Sequence, residues 1–236
     1  MQRIQQSVSR GVSKRFVVGE SEDLPSIRNL EAKFKKQYEV DLKPDTKSKR
    51  RRSGIATAEF WAYNRPPGQN PMRFWWILTV SDGVGLVSDR EKLVDIVNPL
   101  DTSGDAPKRY KRIELDGYEL VHDGVGWSWQ MTKATYSWWQ SRIKRLCSLP
   151  PSRRKIGEPE DLIKDIARSP GFRLVRRQVG KLLGNLKGTW KRLRPEKDPL
   201  PELPTYLPYV KILASGPKRK NAKKKEAEKN IGLRFS

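Results

Sequence analysis

The sequence predicts an α+β fold: a small antiparallel sheet with packed helices, followed by a basic helical region and a disordered basic tail. Three features point there. Short runs rich in aromatic and β-branched residues lie between positions 58 and 131, separated by turn residues. Apolar residues at helical spacing take over from position 133. Charge then divides the chain: residues 57–130 hold 8 basic and 11 acidic side chains, residues 141–194 hold 16 and 4, and residues 217–236 hold 8 and 2.

The first helix is expected over 23–38. Asp23 can cap it, Pro25 suits its first turn, and Ile27, Leu30, Phe34 and Tyr38 recur on one face. Residues 43–54, KPDTKSKRRRSG, read as a polar linker. Strands are expected at AEFWAY (58–63), RFWWILTV (73–80), RIEL (112–115), YELV (118–121) and WSWQM (127–131). PPGQNP (66–71) reads as a loop, and Asp116-Gly117 as a tight hairpin turn. The Ser88-Asp89-Arg90-Glu91 pattern resembles a capping box, so a short helix is expected to follow it. The order is β-β-α-β-β-β-α.

Thr132 can cap a helix over 133–147, with Tyr136, Trp139, Ile143, Leu146 and Cys147 on one face. A short helix at 160–168 and a longer one at about 171–193 follow. The longer one carries an apolar stripe of Phe172, Val175, Val179, Leu182, Leu183 and Leu186. Gly180, Gly184 and Gly188 weaken it in isolation, so it is expected to be docked, with its glycine face free to admit another backbone closely. From Pro195 a proline-rich strap is expected, and the lysine-rich end has the composition of a disordered tail. These readings divide the chain into a basic N-terminal arm with one helix (1–56), an aromatic-rich core (57–147), a basic helical region (148–194) and the strap with its tail (195–236).

The net charge is +22. Solubility alone needs a magnitude of only about 2–8 for a small domain. Self-repulsion on that scale favours a polyanionic partner, and binding nucleic acid releases counterions. The cations placed at the expected interface are Lys49, Arg50, Arg51, Arg52, Arg142, Lys144, Arg145, Arg153, Arg154, Arg173, Arg176, Arg177, Lys181, Lys191, Arg192, Lys218, Arg219 and Lys220. The pairs Trp75-Trp76 and Trp138-Trp139 each demand that one ring be exposed or that both sides of its element be covered. An exposed Trp beside cations suits stacking on bases, whereas covered faces need no ligand.

Other chemistries find little support. His122 is the single histidine and Cys147 the single cysteine, which excludes two-histidine metal sites, Cys/His zinc fingers and an internal disulfide. His122 sits in a Val-His-Asp-Gly turn, where a surface role is expected. Glu114, Asp116 and Glu119 surround a hairpin turn and are the best acids for a metal-dependent nuclease, although solvated turn residues explain them equally. No cofactor or metal is expected. No apolar run approaches the length of about 20 residues needed to span a membrane, and the N-terminal stretch lacks the apolar segment of a secretory signal.

The expected function is non-enzymatic nucleic-acid binding, with DNA favoured over RNA. The basic composition is reminiscent of accessory proteins of plasmids and other mobile elements, without a motif to carry the likeness. A metal-dependent nuclease or RNA-processing enzyme, and a structural RNA-associated protein of ribosomal type, are the alternatives. The strap is a candidate surface for a protein partner. The expected location is cytoplasmic or nucleoid-associated, or nuclear in a eukaryotic host.

Overall fold

The computed structural model describes residues 1–64, 74–96, 110–194 and 198–209. The expected loop at 66–71 and the basic tail, with Lys218, Arg219 and Lys220, lie outside the described residues.

The chain opens with α1 (Gln2–Ser9), β1 (Arg15–Ser21), α2 (Leu24–Tyr38) and α3 (Pro44–Arg52). The expectation of an N-terminal arm with one helix is therefore corrected. β1 pairs with two neighbours and stands in the middle of a sheet. Both of its faces are covered: Phe16 and Val18 join one apolar cluster and Val17 the other. A strand buried on both faces shows no polar alternation, so its sequence pattern is weak.

The expected linker at 43–54 is likewise a helix. Pro44 and Asp45 occupy the first turn of α3, while Lys49, Arg50, Arg51 and Arg52 crowd the last. That order suits the helix dipole, which favours cations at the C-terminal end. The helix has no apolar stripe because its buried anchor is a lysine. Lys47 is only 6% exposed, and its ammonium donates to the carbonyls of Val40 (2.6 Å) and Ala58 (3.0 Å).

β2 (Ala58–Asn64) and β3 (Phe74–Val80) follow, then α4 (Leu86–Arg90), β4 (Val94–Ile96) and β5 (Tyr110–Lys111). These strands and β1 form a five-stranded sheet in the order β2-β3-β1-β4-β5. It is antiparallel except for the β4–β5 pair. The helix expected after Ser88 is displaced: α4 ends at Arg90, and Val94 pairs with Phe16 in the sheet. Ser88 does not cap. Its hydroxyl donates to the Gly83 carbonyl (3.2 Å) and accepts from Arg15 (3.0 Å), pinning the loop before α4.

A second sheet contains β6 (Glu114–Leu115), β7 (Tyr118–His122) and β8 (Trp127–Met131). The turn between β6 and β7 has Asp116 at φ 50° and Gly117 at φ 80°. Two successive positive φ values match the expected hairpin turn. α5 (Lys133–Ser148), α6 (Glu158–Ala167) and α7 (Arg173–Leu193) complete the α+β fold. Thr132 caps α5 by accepting from the Thr135 amide at 3.3 Å.

Two apolar cores result. The smaller lies between the first sheet and α2, where Phe34, Tyr38, Leu78 and Val80 meet Phe60 and Trp76. The larger covers the opposite face of that sheet. It runs from Ile4 and Val8 of α1, through Phe16, Ile77 and the fully buried Trp129, to Ile143, Ile166, Val179 and Leu186 of the last three helices. Each such burial is worth about 1.5–3 kcal/mol. Trp75 packs against the larger core and Trp76 against the smaller, so both faces of that Trp pair are covered. No helix among the described residues is long and apolar enough to cross a membrane.

Candidate nucleic-acid interface

α7 organises the cationic surface. Its buried positions are Leu174, Val175, Val179, Leu182, Leu183, Leu186 and Trp190. They lock the helix onto β8, α5 and α6. The helix is therefore docked, and its opposite side is fixed in space. At 100° per residue, Arg177, Lys181, Gly184, Gly188, Lys191 and Arg192 fall on one stripe, and all six are exposed. From Arg177 to Lys191 the stripe runs about 21 Å at 1.5 Å per residue. Cations occupy its two ends. At Gly180, Gly184 and Gly188 a Cβ would meet nothing within 4 Å, so among the described residues no other backbone makes the close approach that their spacing allows.

Other cations on α5 and after it are exposed as well. Lys144, Arg145 and Arg153 are exposed. Arg145 makes a distant ion pair, 3.7 Å from Glu158. Lys155, Arg168 and Lys187 are also exposed. Arg142 lies 5.0 Å over the Trp138 ring and 5.3 Å over Trp139. Trp138 is 52% exposed while Trp139 is buried. This pair thus resolves into one core ring and one surface ring carrying a guanidinium.

Arg154, Arg173 and Arg176 are held closely within the fold, while Arg177 lies 3.8 Å from Asp123 and Arg142 3.7 Å from Asp165 in looser ion pairs. Arg173 grips Asp123 with both terminal nitrogens at 2.6 Å, and it donates to the Gly126 carbonyl at 3.2 Å. It joins the start of α7 to the β7–β8 turn. That guanidinium and the amides of Val125 and Gly126 hold the Asp123 carboxyl far below its ordinary value. Arg176 reaches the strap. Its Nε donates to the Leu207 carbonyl at 2.8 Å, and its guanidinium lies 3.5 Å over the Tyr209 ring. Arg154, its side chain only 8% exposed, pairs with Asp198 and lies 4.8 Å over Trp190. These contacts fix residues 198–209 alongside α7, where Leu200, Leu203 and Leu207 pack against the larger core. Two clefts of about 570 and 630 Å³ lie between strap and helix.

The α3 cations form a separate group. Arg50 pairs with Glu39, and Arg51 donates to the Thr57 hydroxyl at 3.1 Å. Lys49 and Arg52 are exposed.

Of the residues considered for catalysis, His122 and Glu119 are held in structural contacts. His122 Nδ1 accepts from the Gly124 amide at 3.2 Å, and its ring meets Trp127 edge-on at 5.4 Å. Glu114 faces Glu119 across the β6–β7 hairpin. Glu119 accepts from Arg112 (2.9 Å) and Gln130 (2.6 Å). Among the described residues no group of three or more His, Cys, Asp or Glu side chains is arranged to hold a metal ion.

The chain matches no protein-family model. No curated protein and no solved structure is significantly similar to it.

Proposed function

We propose that this protein binds nucleic acid through phosphate neutralisation, without catalysing a reaction on it, and that DNA is favoured over RNA. The observation that carries the reading is the exposed stripe of Arg177, Lys181, Lys191 and Arg192 on a helix whose other side is locked into the core. Cations on a rigid element lose less entropy on gripping phosphate than cations on a free chain. Phosphate contacts of this kind position the protein without reading sequence. Arg142 stacked on the exposed Trp138 supplies a further flat cationic surface, suited to an unpaired base. A role as an accessory protein of a mobile element is consistent with such binding, as is a cytoplasmic, nucleoid-associated or nuclear location.

A binding assay on single-stranded DNA, duplex DNA and RNA, titrated with salt and run with magnesium, tests the reading. With about 6–10 phosphates contacted, affinity falls by about three to five orders of magnitude between roughly 50 and 200 mM salt. Affinity flat across that range contradicts it. Strand cleavage in the magnesium lanes contradicts the non-catalytic part.

A further inference from the structure

Apart from this helix–strap surface, α1, α3 and β2 line a cleft of about 340 Å³. Its walls carry Arg3, Arg10, Lys47 and Arg51, opposed by Glu59 alone among the lining acids. Trp61 also lines it, with the Arg3 guanidinium 5.6 Å over its ring.

Two features suit this cleft to an anionic occupant. The Lys47 ammonium has three donors, and two of them go to backbone carbonyls. Arg3 on α1 and Arg10, the residue that ends that helix, both line the cleft.

We propose that this cleft binds one nucleotide through a phosphomonoester. Four cations against one carboxylate leave a surplus of three positive charges, 4 − 1. A phosphomonoester brings up to two negative charges near neutrality, whereas a chain phosphodiester brings one. Arg10, Arg51 and Lys47 hold the phosphate. The flat Arg3–Trp61 pair takes the base. The volume lies at the small end of ligand sites, which suits one nucleotide and not a strand. The phosphomonoester has two sources, a free nucleotide or the 5′ end of a nucleic-acid strand. The proposal concerns a surface apart from α7 and stands whether or not α7 binds nucleic acid.

The test is calorimetry on the full chain. The ligands are the four nucleoside 5′-monophosphates, their nucleosides, inorganic phosphate, and one oligonucleotide with and without a 5′-phosphate. At least one monophosphate, or the 5′-phosphorylated strand, binds about tenfold or more tighter than its unphosphorylated counterpart. The preference is lost in Arg10→Gln and in the Arg10→Gln/Arg51→Gln double variant. Arg10 is exposed, so the single variant folds even if the double does not. The Trp61 indole N–H resonance, assigned by its loss in Trp61→Phe, shifts on binding. A preference confined to free monophosphates identifies a nucleotide site, and one confined to the oligonucleotide identifies a strand-end site. No preference for the phosphorylated form, a preference unchanged in Arg10→Gln, or inorganic phosphate binding as tightly as the nucleotides overturns the proposal.

Discussion

Arg173 and Asp123 form a two-pronged ion pair, both nitrogen–oxygen distances 2.6 Å, between the first turn of α7 and the turn joining β7 to β8. The same carboxylate accepts from the Val125 and Gly126 amides, so it orders its own turn while docking the helix. An arginine that counts as interface charge in the sequence is thus a structural clasp. Arg173→Gln is expected to lower the unfolding midpoint in urea, while the salt dependence of nucleic-acid binding stays that of the parent. A variant with parental stability and weakened binding would return Arg173 to the interface.

The pair also sets a pH dependence. Arg173 stabilises the ionised Asp123, so the folded carboxyl titrates below the unfolded one. The stabilisation is therefore present in full above the unfolded value of about 3.9. It is lost as the pH falls from there through the depressed folded value. The stability difference between parent and Asp123→Asn is expected to be constant from neutrality down to about pH 5 and to shrink below about pH 4. Urea titrations at stepped pH measure it, and a difference that grows on acidification would contradict the assignment.

Gly19 is held by a neighbour. It pairs with Trp76 across β1 and β3, and a Cβ at position 19 would lie 2.4 Å from the indole ring. The ring is wedged against Phe34 and Phe60 and has little room to retreat. Gly19→Ala is expected to cost about 1–3 kcal/mol by overpacking. Equilibrium unfolding reads this directly, and an unchanged or raised stability would show that Trp76 moves freely.

His122→Ala should leave nucleic-acid binding and the magnesium lanes unchanged. Its ring is occupied by the Gly124 amide and by Trp127, and its neighbour Asp123 is held by Arg173. An activity in the parent that disappears in this variant, with the circular dichroism unchanged, would favour the enzymatic alternative.

Much of the fold is legible in the sequence where burial is one-sided. The Trp139, Ile143, Leu146 and Cys147 stripe of α5 is buried as its spacing implies, and Asp116-Gly117 makes the expected turn. Legibility fails where burial is two-sided or polar. β1 is covered on both faces, and α3 is anchored by a lysine bonded to carbonyls, so neither shows an amphipathic period. At the candidate interface, charge density points to α7 but cannot separate surface cations from clasps. Arg154, Arg173 and Arg176 find their partners 44, 50 and 31 residues away. Only the tertiary structure brings those groups together.

The central claim is that the exposed stripe of α7 neutralises phosphate. The most direct measurement is the slope of log affinity against log salt on duplex DNA, for the parent and for a variant with Arg177, Lys181, Lys191 and Arg192 all changed to Gln. These side chains are exposed, so the variant is expected to keep the parental fold. If each contacts one phosphate, the slope becomes shallower by about 3–4 at roughly 0.9 per contact. An unchanged slope, with DNA binding intact, would contradict the account.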